Sequence, residues 1–318
     1  MRKLTSLLLK AAVSGALLYL TIRLADFGSV KDRLGQIDLR WIALELLLLF
    51  WVLIPVAIRW QVILARCGVA ANFVTVLRFT IIAQFFNQTL PSSVGGDGIR
   101  IWLIGRRGNW RAAAYSVFID RAIGVVSLAL LVVVCLPWSL ALVRNTSGRI
   151  ALIAIGVGCI AASAIFVAMS WERLRVLQRW AMTRHLAALA RVALEILRSP
   201  RAALWVLALS IVVQLSSALA VWCGTRAIGA EVPLLYAVIL VPPVLLITVV
   251  PVSIAGWGVR EGAMIAAFVY AGLPQSDGLI VSLILGVCYL SLGALGGLLW
   301  IATPNRTDHT AASIINSH

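Results

Sequence analysis

Residues 278 to 301 run for twenty-four positions without one Asp, Glu, Lys or Arg. A helix rises 1.5 Å per residue, so about 20 apolar residues cross the roughly 30 Å hydrocarbon core of a bilayer. Further apolar runs of crossing length, some carrying one or two charges, fall at 4 to 24, 41 to 64, 112 to 136, 150 to 169 and 202 to 222, and six full spans are expected. The first is flanked by Arg2, Lys3 and Lys10, as in a signal peptide, yet stays apolar to Leu24 without a small-residue cleavage site, so it reads as a retained span. Charge is scarce throughout, at 12% of residues against about 25% in soluble domains. No segment is long and polar enough for a nucleotide-driven engine or a water-soluble catalytic domain. The expected fold is an all-α polytopic membrane domain over residues 1–303, followed by a polar tail at 304–318.

Two further apolar regions are interrupted by Pro and Gly. One runs from Phe73 through Pro91, Gly96 and Gly98 to Ile104, and the other from Leu234 through Pro242, Pro243, Pro251, Gly256 and Gly258 to Ala271. Broken backbone at membrane depth survives only where protein or a wet cavity satisfies its amides. Both regions are therefore expected to be re-entrant hairpins around an internal site, with Pro91, Gly96, Gly98, Pro251, Gly256 and Gly258 shaping the backbone.

The net charge of +15 comes without basic stretches interleaved with aromatics, so nucleic acid is not an expected partner. Loop charge bias explains it better. Residues 170–201 hold seven arginines against Glu172 and Glu195, which puts this segment and both termini on the cytoplasmic side. Trp171, Leu174, Leu177 and Ala181 recur there at helical spacing, as an amphipathic interfacial helix requires. The loop at 23 to 40, with four basic and three acidic residues, runs against the bias. Five scattered cysteines and three histidines offer neither a disulfide framework nor a metal site, and no cofactor is expected.

At an offset of 160 residues the hairpin centres superpose. Pro91 meets Pro251, Ser93 meets Ser253, Gly96 meets Gly256, Gly98 meets Gly258 and Arg100 meets Arg260. Five identities in ten positions exceed the roughly one expected from average residue usage. The offset also carries span 41 to 64 onto 202 to 222 and span 112 to 136 onto 278 to 301, giving repeats at about 41–136 and 202–301. With the N-terminus inside, the two hairpins enter from opposite faces, the inverted-repeat construction of many secondary transporters.

Six ionisable residues have no place in lipid: Asp97, Arg100, Asp120, Arg121, Arg260 and Glu261. At about 2.5–3.5 kcal/mol each on insertion scales, they must be paired or hydrated. Asp120 and Arg121 are adjacent, about 100° apart on a helix, so each needs a partner elsewhere, and the hairpins supply Arg100 with Asp97 and Arg260 with Glu261. Three guanidiniums suit an anionic headgroup, and the carboxyls offer a place for a coupling proton. Glu45, Arg59 and Arg78 are read as reaching their interfaces from near span ends. Trp257 stands where the first hairpin has Asp97.

The series Asn87-x-x-Leu90-Pro91, Gly96-Asp97-x-x-Arg100, Gly105-Arg106-Arg107-Gly108, Asp120-Arg121 and Pro251-x-Ser253-x-x-Gly256-x-Gly258-Val259-Arg260-Glu261-Gly262 resembles the lysylphosphatidylglycerol synthase transmembrane region, a family of flippase-like membrane proteins. The resemblance covers about residues 5 to 300. In two-domain members this region is implicated in moving aminoacylated phosphatidylglycerol between leaflets, after a soluble domain attaches the amino acid. That domain is missing from this sequence, so lysyl transfer is not expected. Stand-alone members sit with hopanoid or polyprenyl-linked sugar pathways. A departure is Pro91-Ser92-Ser93-Val94-Gly95, where the family pattern has a Gly and often a basic residue.

Together these readings give an inner-membrane translocase that binds a membrane phospholipid or polyprenyl-linked lipid at Asp97, Arg100, Asp120, Arg121, Arg260 and Glu261, moving it downhill or on an ion gradient. A lipid-biosynthesis enzyme is a candidate partner. The rival readings are an intramembrane transferase, with Asp97 or Asp120 as base, and an accessory subunit of a lipid, hopanoid or polyprenyl-linked glycan pathway; no catalytic constellation is legible.

Overall fold

The computed structural model describes residues 37–90, 95–106, 108–143, 145–168, 198–249 and 255–302, with positions 35 and 194. Every element among them is helical. In chain order these are α1 (Leu39–Arg66), α2 (Phe73–Thr89), α3 (Gly95–Gly105), α4 (Trp110–Leu142), α5 (Thr146–Ala168), α6 (Pro200–Ala227), α7 (Leu234–Thr248), α8 (Val259–Tyr270) and α9 (Gln275–Ile301).

Local chemistry sets the starts. Asp38, Asn72 and Asn109 cap α1, α2 and α4, each side chain accepting an N–H from the first turn, and Pro200 opens α6 where its missing N–H costs nothing. Among the described residues four helices, α1, α4, α6 and α9, are long and apolar enough to cross a membrane, which makes the chain a multi-pass membrane protein. The expected span at 4 to 24 lies outside the described residues. That at 150 to 169 falls on α5, a helix of 23 residues whose side chains are described only to residue 161. The segment at 170–201 is described only from residue 198 and at position 194, and the tail at 304–318 not at all.

The long helices hold the centre. α1 packs against α6, and α9 packs against α1, α2, α6 and α8. The main core joins Leu49 and Leu53 of α1 to Ala218 and Val221 of α6 and to Ile280, Ile284 and Leu285 of α9. A second core sets Ala57, Trp60 and Leu64 of α1 against Val76 of α2, Ile104 of α3 and Val117 of α4. Large apolar side chains such as Leu47, Trp138, Trp205 and Leu298 stay on the outside, as a lipid-facing surface requires.

The interrupted regions become pairs of short helices, α2 with α3 and α7 with α8. Pro242 and Pro243 do not break the second pair. They lie inside α7, and the chain leaves the helix only at Val249. It turns through Ala255 (φ 51°), Gly256 (φ 81°) and Gly258 (φ 85°) before α8 begins. Pro91 and Pro251 lie outside the described residues.

Candidate functional site

The first group of charges is built on Asp120 of α4. Arg59 Nε donates to Asp120 Oδ1 at 2.8 Å and Arg100 Nη2 donates to Asp120 Oδ2 at 2.9 Å, all three side chains buried. Two guanidiniums thus divide one carboxylate, one oxygen each. Arg59 also reaches α6, donating from Nη1 to Ser210 Oγ at 3.1 Å. The Arg100 guanidinium lies over the Trp60 ring, 3.8 Å from its centroid, and Trp60 Nε1 donates to Ser116 Oγ at 3.2 Å. Asp97, on the same face of α3 as Arg100, forms an ion pair with it at 3.5 Å and another with Arg121. The group ties α1, α3, α4 and α6 together.

The second group centres on Glu261, wholly buried in the first turn of α8. Its Oε1 accepts from Arg260 Nη2 at 2.6 Å and from Ser282 Oγ of α9 at 3.1 Å, and its Oε2 accepts the N–H of Gly258. Arg260 Nε also donates to Ser282 Oγ at 3.0 Å. Glu261 is therefore both the counterion of Arg260 and the N3 residue that closes the helix start. The Trp257 ring lies beneath Arg260, 4.9 Å from the guanidinium carbon, so the arginine of each short-helix pair rests on a tryptophan. Gly286 makes room for this: a Cβ there would stand 2.5 Å from Arg260 Nη2 and 2.6 Å from the Trp257 ring.

Several sequence expectations meet this geometry. Asp120 and Arg121 find separate partners, Arg100 and Asp97, in the first short-helix pair. Arg260 and Glu261 satisfy one another and Ser282 instead of reaching Asp120 or Arg121, because Arg260 folds back along the first turn. Arg260 thus belongs to a different ion-pair group from Arg100 and Arg121. Arg59, read as reaching an interface, is 5% exposed and belongs to the Asp120 group, since α1 continues two turns beyond it to Arg66 and the side chain runs inward. Glu45 does not reach the outer interface either. It is 0% exposed, and neither carboxyl oxygen has a hydrogen-bond partner. Two turns between Arg59 and the helix end were the available signal for the first; nothing in the sequence marks the second.

Gly96 and Gly98, grouped by sequence, separate by role. A Cβ on Gly96 would stand 2.4 Å from the Ala83 carbonyl oxygen, and its N–H donates to Asn87 Oδ1 at 2.9 Å, so α3 abuts α2 at that residue. Gly98 faces open space.

Between the two short-helix pairs lies a cavity of about 190 Å³ whose wall mixes polar side chains with a larger apolar area. Gln84, Asn87 and Gln88 of α2 line one side, Leu245 and Thr248 of α7 with Ala255 and Gly256 the other, and Arg260 and Tyr289 complete it. Of the six sequence candidates only Arg260 is among these residues. The carboxamides escaped notice because Gln and Asn carry no charge to mark them inside an apolar run. Among the described residues no cluster of three or more His, Cys, Asp or Glu is placed to hold a metal.

No curated protein and no solved structure matches the chain significantly. A family model does, described as the lysylphosphatidylglycerol synthase TM region and matching residues 7–297. With nearly the whole chain matched, the protein belongs to the lysylphosphatidylglycerol synthase transmembrane-region family.

Proposed function

We propose that this protein is a lipid translocase that passes an anionic headgroup through the cavity between its two short-helix pairs while the apolar chains stay in the bilayer. Family membership ties the chain to membrane lipids. The observation that carries the reading is the cavity itself, with Arg260 in its wall, inside a bundle whose exterior is apolar. One turn along α2 from Gln84, Ile81 lines an apolar groove of about 520 Å³ with Leu47, Phe50 and Trp51 of α1, so a single helix borders room for a headgroup and room for a chain.

The neighbour pattern supports an internal repeat, and the loop charge bias supports its inversion. A shift of 160 positions exchanges α1 with α6, α2 with α7, α3 with α8 and α4 with α9, to within about five residues at each end. Contacts follow the exchange. The packing of α2 on α9 becomes that of α7 on α4, α3 on α4 becomes α8 on α9, and α1 on α6 maps to itself. On this reading α2–α3 and α7–α8 are re-entrant from opposite faces of an inner membrane with cytoplasmic termini, and the cavity opens to each side in turn.

Reconstitution tests the function. Wild type, Asp97→Asn and Arg260→Ala are compared for the rate at which a labelled anionic lipid becomes exposed to an external quencher. We expect the wild type to exceed both variants, and equal rates in all three and in empty vesicles overturn the proposal. Periplasm-dependent reporters at 140 to 148 and 226 to 233 test the topology, since both must be active.

A further inference from the structure

Among the described residues, the carboxylates inside the bundle are of two kinds. Asp97, Asp120 and Glu261 each face at least one guanidinium, and Glu261 takes a backbone N–H besides. Asp277 stands in the first turn of α9, where the helix N-terminus favours a negative charge. Glu45 has no such support. It lies two turns into α1, 0% exposed, and neither of its oxygens has a hydrogen-bond partner.

The neighbours of Glu45 do not replace the water it has lost. A Cβ on Gly224 of α6 would stand 3.0 Å from its Oε2 and 3.4 Å from Val281 Cγ1 of α9, so hydrocarbon and bare backbone close around the carboxyl. The ionisable groups that face it are Cys223 of α6, Cys288 and Tyr289 of α9 and Arg260 of α8. Thiols and phenols are neutral near pH 7, and the Arg260 guanidinium is committed to Glu261 and Ser282. The other helices on α1 bring their charge in further along it. On α2, Arg78 follows Val76, which packs at Ala57 and Trp60, and on α4 Asp120 meets α1 at Arg59, about 21 Å along the axis from Glu45.

An ionised carboxylate without a partner is very costly in an apolar interior, and such a group stays neutral by holding a proton. A metal ion in the proton's place needs several oxygen ligands, and a glycine and a valine are what lie against Glu45. Two of the groups that face it, Arg260 and Tyr289, also line the cavity. Arg260 attracts a negative Glu45, and an anion bound to Arg260 cancels that attraction. Anion and proton therefore favour each other's binding through the arginine that lies between them.

We propose that Glu45 is a proton-binding site, and that a proton is taken up there as an anion occupies the cavity at Arg260. The second half rests on the translocase reading and names the ion that movement is coupled to, leaving Asp97, Asp120 and Glu261 to hold their arginines.

Infrared spectroscopy of the full chain in phosphatidylcholine nanodiscs tests the site. The wild type should show a protonated-carboxyl stretch at neutral pH that shifts in heavy water, and Glu45→Gln should lose it. Glu45→Met, which buries no amide, must lose the same band. Absence of the band from the wild type, or its survival in either folded variant, overturns the proposal. The link is read by titrating short-chain phosphatidylglycerol, a phosphodiester whose charge is constant near neutrality, in acid and in alkaline buffer. Wild type should bind it about fivefold or more tightly in acid, the lower end of ordinary coupling, and Glu45→Gln equally in both. Equal binding by the wild type in the two buffers, or the same pH dependence in the variant, overturns the link. Lipid movement in vesicles is scored apart. The Glu45 band in a protein that moves no lipid upholds the proton site and fails the translocase reading; movement without the band does the reverse.

Discussion

Arg59 of α1 and Asp120 of α4, sixty-one positions apart, meet at 2.8 Å in the interior of the helix bundle. Asp120 is shared with Arg100, so the carboxylate is the single anion between two buried guanidiniums. Breaking a buried pair by removing one partner costs about 3–5 kcal/mol, because the partner is left charged and dry. Asp120→Asn should therefore destabilise the protein by about that amount in reversible unfolding in detergent. A loss below about 1 kcal/mol would mean that water reaches both arginines.

Gly96 and Gly98 of α3 should respond in opposite directions. Gly96→Ala drives a methyl into the Ala83 carbonyl and the Asn87 side chain and should cost about 1–3 kcal/mol. Gly98→Ala meets nothing within 4 Å and gains helix propensity, so it should stabilise by about 0.5–1 kcal/mol. Paired melting curves check both, and equal effects would contradict the close α2–α3 approach.

At Glu45 substitution should strengthen the fold. Its carboxyl is wholly buried with neither oxygen bonded, and Gly224 of α6 lies against it. Replacing an unsatisfied polar group by an apolar one of similar length removes a penalty of about 1–3 kcal/mol. Glu45→Met should raise the melting temperature, and a fall would place an unseen partner at the carboxyl.

Ser282→Ala offers a milder perturbation of the second charge group. The hydroxyl bridges Arg260 and Glu261 and is 0% exposed. Its loss should cost about 1.5–3 kcal/mol, the range for hydrogen bonds to charged groups. The fold should survive, because Arg260 and Glu261 still hold each other at 2.6 Å. Unfolding at unchanged midpoint would show that water replaces the hydroxyl.

What the sequence disclosed followed from the price of charge in lipid. Asp97, Arg100, Asp120 and Arg121 stood out because each sits where hydrocarbon forbids it, and the angle between neighbours on a helix showed that Asp120 and Arg121 need partners elsewhere, without choosing between the two hairpins. The long helices were legible for the same reason, since apolar runs of crossing length have few other homes. Arg59 was missed because an arginine five residues from the expected span end at 64 can snorkel, and the helix running on to Arg66 sets it two turns inside. Gln84, Gln88 and Tyr289 were missed because neutral polar residues are common in membrane helices. Only the packing of α2 on α9, with α7 on the opposite side, makes them the wall of a cavity.

Glu261 receives the N–H of Gly258 with one oxygen and the Arg260 guanidinium with the other. Counterion and helix start are thus one carboxylate. On the translocase reading, an anion that drew Arg260 away would vacate only the oxygen that faces it, and the other would still hold the Gly258 N–H. The arginine could then move while the turn that carries it stayed wound.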